Sequence, residues 1–154
     1  MKRIIFLDID GCVNSEKWYR ATKGMKGHFD PEVIALLNTL KDLDVEVVVS
    51  SSWGEDGVKQ LRNVGLELPI VGTTEHFYCD WMCRGNEIEK WLHDTFKGFG
   101  SKYGPNYKDK NYNYAIRDDD CDMLYGQKDN FVEIDRWVGI TEEDIKKVRE
   151  ILMQ

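Results

Sequence analysis

Apolar residues gather in five short blocks along the chain, separated by stretches in which they return every three to four positions. Residues 4–7 read Ile-Ile-Phe-Leu, an uninterrupted run of the kind needed by a strand covered on both faces of a parallel sheet. Similar runs stand in DVEVVVSSSW (44–53), LPIVGTT (68–74), YAIRDDDCDM (114–123) and NFVEI (130–134). Between them the period changes. Asp30 is a good N-cap with Pro31 at the first helical position, and Val33, Leu36, Leu37 and Leu40 fall on one face. A second helix over about 55–64 is closed by Gly65, and RGNEIEKWLHDTF (84–96) carries Ile88, Trp91, Leu92 and Phe96 as a stripe. Thr141 caps a last helix that runs through Leu152.

Strands alternating with helices predict an α/β fold, a three-layer Rossmann-like core around a parallel sheet of about five strands. Residues between the first strand and Asp30 read as a polar, glycine-containing connection. The stretch KGFGSKYGPNYKDKNYN (97–113) has neither period and reads as a long loop.

At 154 residues with 42% hydrophobic positions the chain is expected to form a single domain, over residues 1–154. No apolar run approaches a bilayer span, and the first residues lack the features of a signal peptide, so a cytoplasmic protein that does not insert in a membrane is expected. The four cysteines (Cys12, Cys79, Cys83, Cys121) are irregularly spaced and suit reduced thiols. A net charge of −7 argues against a general nucleic-acid coat protein. The charge is uneven, however. Lys17, Arg20, Lys23, Lys26 and His28 oppose only Glu16 in residues 16–28, and four lysines oppose one aspartate in residues 97–110. The acidity is mostly C-terminal.

Two of the apolar blocks end in aspartates. Asp8 and Asp10 follow Leu7, and Asp118 and Asp119 follow closely on Ile116. In an open α/β sheet the carboxyl ends of the strands are where ligands bind, and two central strands bring all four carboxylates into one small volume. Two like charges about 4 Å apart repel by roughly 4 kcal/mol at an effective dielectric near 20, so a positive partner is required. A hard divalent cation with oxygen ligands answers this, and Mg²⁺ in particular combines a few carboxylates with waters and a substrate phosphate.

The run FLDIDGCVN resembles motif I of the haloacid dehalogenase-like (HAD) phosphatase superfamily. A serine after the second strand (Ser50), a basic residue opening a helix (Arg84) and the acidic pair Asp118-Asp119 follow in the superfamily's order. The wording SSSW, RGNEIEKWL and DDDCDM is most similar to the HAD domains of Swiss Army Knife RNA repair proteins. The resemblance implies a Mg²⁺-dependent phosphomonoester hydrolase. Asp8 would be the nucleophile and Asp10 the acid and base, with its backbone carbonyl also at the metal. Ser50 would bind phosphoryl oxygens, with Ser51 and Gly11 beside it, and Arg84 would balance their charge. Asp118 would complete the metal shell and Asp119 would join it directly or through water.

The intervals after motif I and between Trp53 and Arg84 leave no room for a large cap domain, so the site is expected to be open. Lys17 and Arg20 leave the strand end that carries Asp8 and are candidates for binding a terminal phosphate of RNA, DNA or a nucleotide. A sugar phosphate or mononucleotide is the small-molecule alternative, and a catalytically silent binding module the alternative of another class. Intact Asp8 and Asp10 count against the last. Trp53, Tyr103, Tyr107 and Tyr112 are candidates for stacking on a base, whereas Trp81, Trp91 and Trp137 are expected in or near the core. A zinc site from His76, Cys79, Cys83 and Cys121 is disfavoured by its spacing. Arg117 stands where the strand pattern calls for an apolar residue, and nothing in the sequence accounts for it.

Overall fold

The computed structural model describes residues 1–23, 29–76, 82–96 and 111–154. Five strands, β1 (Lys2–Leu7), β2 (Val45–Val49), β3 (Ile70–Thr73), β4 (Tyr112–Asp118) and β5 (Phe131–Glu133), form one sheet in the order β3-β2-β1-β4-β5. Every neighbouring pair is parallel. The chain adds strands on one side of β1 and then returns to add β4 and β5 on the other. This makes the gap between the carboxyl ends of β1 and β4 the topological switch point, where such sheets bind their ligands.

Strand parity sorts the core. Ile5 and Leu7 of β1, with Val45, Val47 and Val49 of β2, meet the helices α2 (Pro31–Asn38), α3 (Gly54–Asn63) and α5 (Glu142–Leu152). Ile4, Phe6, Val48 and Ile116 face the other way, onto Ile88 and Leu92 of α4 (Arg84–Phe96). Burial on both faces is what the uninterrupted apolar runs demand. Local signals fix the helix starts: the Asp30 carboxylate accepts from the Glu32 amide at 2.9 Å, and Thr141 and Asp144 cap each other reciprocally at the start of α5.

Two expectations are corrected. The connection after β1 is not irregular throughout, because Ser15 accepts from the Trp18 amide and starts a short helix, α1 (Glu16–Ala21). The last strand before the acids starts at Tyr112 and runs through Asp118, so Tyr112 belongs to the sheet and not to the preceding loop. Its ring is buried and stacked on Phe96, with centroids 4.2 Å apart, which removes it from the candidates for base stacking. Tyr103, Tyr107, Trp81 and the rest of the 97–110 stretch lie outside the described residues. Trp91 packs edge-on against Phe6, whereas Trp137 is 47% exposed with the Arg20 guanidinium 4.8 Å from its ring. Among the described residues, no helix is long and apolar enough to cross a membrane.

Arg117 is the anomaly of the core. It pairs in register with Leu7 and Val132, is fully buried, and its three guanidinium nitrogens have no hydrogen-bond partner among the described residues. Burial lowers its pKa to about 10, so at neutral pH it is still a cation held in an apolar layer. Its backbone carbonyl accepts from the Asp8 amide at 3.0 Å, a service any residue performs. Arg117→Met is therefore expected to stabilise the protein by about 2 kcal/mol, raising the melting midpoint by roughly 4–8 °C in calorimetry. An unchanged or lowered midpoint shows that the guanidinium is compensated after all.

Candidate active site

Three carboxylates meet at the switch point. Asp8 follows the last residue of β1, Asp118 is the last residue of β4, and Asp119 comes next. They offer one oxygen each within 4.8 Å of one another, and among the described residues no other group of His, Cys, Asp or Glu is so placed. Asp8 and Asp118 are 6% and 2% exposed. Desolvation pushes the Asp8 pKa to about 7, opposed by Arg84 and by hydrogen bonds from the Ile9 amide and the Ser51 hydroxyl. It pushes Asp118 to about 8, with the Asp8 charge adding to the rise. An all-oxygen set this crowded fits a hard divalent cation, which would replace the retained protons.

Arg84 provides positive charge beside Asp8 and Asp118. Its Nε lies 3.5 Å from Asp118, and its Nη1 donates to Glu87 at 3.0 Å. Burial works against the guanidinium, but Asp8, Asp118 and Glu87 outweigh it and hold it protonated. Glu87 is itself buried and reaches His76 with its other oxygen at 3.0 Å. The Asp122 carboxylate accepts from the Arg84 amide at 2.8 Å, and Gln127 donates to the Gly85 carbonyl at 2.9 Å. A Cβ at Gly85 would collide with Leu124 and Gln127, so glycine lets the start of α4 press against this segment.

A second arginine stands at the rim. Both Nε and Nη2 of Arg136 approach the same oxygen of Asp119 at 2.9 Å. Gly11, at φ +77°, turns the chain between Asp10 and Cys12, and a Cβ there would fall on the Asp119 carboxylate. Gly11 is thus placed as a spacer for Asp119 as well as in the wall of the cavity beside it.

That cavity has a volume of about 430 Å³, and Asp10, Asn14, Tyr19 and Trp53 line it together with Gly11, Asp119 and Arg136. Asp10 is exposed and lies outside the three-carboxylate cluster. Its Oδ2 accepts from the Trp53 indole at 2.9 Å and its Oδ1 from the Asn14 amide at 3.2 Å. Lys17 and Arg20 do not line the cavity. Their helix turns Glu16 and Tyr19 toward it instead, and Arg20 covers Trp137.

The serines separate by contact. Ser51 hydrogen-bonds Asp8, whereas the buried Ser50 hydroxyl has no partner among the described residues. Register places Leu7 beside Val49, so Ser50 lies level with Asp8. His76 engages Glu87, Cys83 accepts from Asn86, and Cys79 lies outside the described residues. Burial, with Asp8 and Asp118 nearby, raises the Cys12 thiol well above its usual range and keeps it inert. Sequence reasoning missed Glu87 and Arg136 and left Asp122 open between a supporting place beside the site and the surface. Only Glu87, three residues beyond Arg84 on the same helix face, carried a local signal.

The raised carboxyls fix the pH response of the metal-free protein. Between about pH 4 and 8 the folded state holds protons that the unfolded chain releases, so stability falls as pH rises through this window. In chelator, denaturant titrations are expected to show the protein about 2 kcal/mol less stable at pH 8 than at pH 5.5, and Asp118→Asn is expected to flatten the dependence. Stability rising over that interval contradicts a proton-sharing acid pair.

No curated protein and no solved structure matches the chain significantly. Residues 4–145 match the family model described as the HAD domain in Swiss Army Knife RNA repair proteins. The matched span takes in every strand end that carries a site residue, and the parallel sheet with its acids at the switch point agrees with it. The chain belongs to this HAD-domain family.

Proposed function

We propose that the protein is a Mg²⁺-dependent phosphomonoester hydrolase that works through an aspartyl-phosphate on Asp8. The observation that carries this reading is the convergence of Asp8, Asp118 and Asp119 beneath a fixed Arg84. A carboxylate oxygen of Asp8 attacks phosphorus as the ester P–O bond breaks, and Asp10 gives its proton to the departing oxygen. Asp10, now a carboxylate, then takes a proton from the water that attacks the phosphorus of the aspartyl-phosphate and frees Asp8. Ser51 orients the nucleophile, and the Ser50 hydroxyl, without a partner among the described residues, donates to a phosphoryl oxygen. Arg84 balances charge on the transferring group. Mg²⁺ held by Asp8, Asp118 and Asp119, with the Asp10 carbonyl, would neutralise phosphoryl oxygens and keep Asp8 ionised.

The leaving group enters the cavity that holds Asp10. Its wall carries Asp10, Glu16 and Asp119 against Arg136, an acidic surround that favours a neutral sugar next to the ester oxygen over a second phosphate. Lys17 and Arg20, outside that wall, are proposed to meet phosphates farther along a chain. This supports a terminal phosphate on a nucleic acid or nucleotide as substrate.

Release of phosphate from an aryl phosphate is expected to need Mg²⁺ and to fall at least about a thousand-fold in Asp8→Asn. Metal-independent or undiminished release defeats the mechanism. Oligonucleotides phosphorylated at either end should exceed sugar phosphates in kcat/KM, and equal values remove the case for a polymer end. Ser50→Ala should lower kcat/KM by about a hundred-fold, and retained activity moves the phosphoryl contact to another group.

A further inference from the structure

Trp53 touches the reaction through Asp10. The segment Ser51-Ser52-Trp53 and the segment Asp8-Ile9-Asp10 meet in matched steps. Ser51 hydrogen-bonds Asp8, and two residues later the Trp53 indole donates to Asp10 at 2.9 Å. The indole is anchored twice over. Its backbone sits at the start of α3, where its carbonyl accepts from the Asp56 amide at 3.1 Å and the Gly57 amide at 3.3 Å. Its ring stands edge-on to the buried Phe29, with centroids 5.5 Å apart.

Asn14 is held through its backbone, its carbonyl accepting from the Gly11 amide at 3.1 Å, and its side chain has no ring to pack as the indole does. It lies in the same turn as Asp10, and its amide reaches the other carboxylate oxygen at the longer distance of 3.2 Å. An amide side chain presents a donor or an acceptor by rotation, whereas an indole nitrogen only donates. Trp53 therefore favours an unprotonated Oδ2, the stronger acceptor, and Asn14 tolerates either state of Oδ1.

We propose that Trp53 is a positioning residue that fixes Oδ2 of Asp10, so that Oδ1 carries the proton given to the leaving oxygen in the reaction proposed above. In the first step the Oδ1–H bond breaks as the leaving oxygen gains that proton, and the indole stabilises the carboxylate formed. In the second step Oδ1 takes a proton from the attacking water. The role rests on the phosphatase reading, but the hydrogen bond beneath it can be observed without turnover.

Trp53→Phe keeps an aromatic ring against Phe29 and removes the N–H. An aryl phosphate with a nitrophenolate leaving group departs without a proton, whereas an alkyl phosphate such as glycerol phosphate requires one. The substitution is expected to reduce kcat/KM, which reports the ester-cleaving first step and not the shared second one, about tenfold more for the alkyl ester than for the aryl ester, a fraction of what a general acid supplies. Equal losses on the two esters, or none, overturn the positioning role and leave Trp53 as packing. In parallel, the indole ¹H–¹⁵N resonance that disappears in Trp53→Phe should shift in Asp10→Asn of the exposed carboxylate. An unmoved resonance overturns the contact itself. Wild-type protein that hydrolyses neither ester overturns the phosphatase reading and the role of Trp53 with it, whether or not the resonance moves.

Discussion

Crowded negative charge at the end of β1 and β4 is the constraint to which the surrounding structure responds. Three carboxylates bring oxygens within 4.8 Å of one another, and two of them are almost fully buried. In such surroundings each like-charged pair repels by several kcal/mol, so the arrangement persists only with protons, arginines or a cation distributed among the acids. The raised pKa values of Asp8 and Asp118 record the proton solution, and Arg84 and Arg136 the arginine solution. A divalent cation held by these acids would displace the first and leave the second intact.

Placing those arginines accounts for much of the local architecture. Arg84 depends on where α4 begins, and that point is pinned by the Asp122 carboxylate on its amide and by the contact of Gly85 with Gln127. Glu87 then fixes the direction of the guanidinium. Arg136 is placed by a turn whose backbone also receives the start of α1: the Glu16 amide donates to the Arg136 carbonyl at 2.9 Å and the Lys17 amide to that of Trp137 at 3.1 Å. The wall of the cavity and the counter-charge on Asp119 are thus built by one set of hydrogen bonds.

The sheet and most helices were legible because their signals are local. Apolar runs mark strands buried on two faces, and Asp30-Pro31 and Thr141 mark helix starts without reference to distant residues. The convergence of acids also follows from topology, since parallel strands share a carboxyl edge. What stayed hidden depends on contacts between segments far apart in sequence. Asp122 serves a helix 38 residues earlier, Arg136 meets Asp119 across 17 residues, and Trp53 meets Asp10 across 43. A charged residue with such a partner carries no local mark of it in the sequence, and Arg136 has none. The helical turns that carry Glu16 and Tyr19 to the cavity were concealed by a six-residue length too short to show a period.

Arg117 shows why charge balance falls to α4. It is adjacent in sequence to Asp118 and one residue further from Asp119, yet it does not serve them. Successive residues of a strand point to opposite faces, so Asp118 stands on the side of α4 while Arg117 is sent through the sheet among Leu7, Val132 and their neighbours. The electrostatics follow that parity: Asp8 and Asp118 respond to Arg84, whereas Arg117 responds to Cys12 and Asp144 on the far side. Proximity along the chain therefore gives no neutralisation here. For Asp8 and Asp118 the positive charge comes from an element packed on the same face of the sheet, and α4 is the helix that the Ile4, Phe6 and Ile116 side chains hold there.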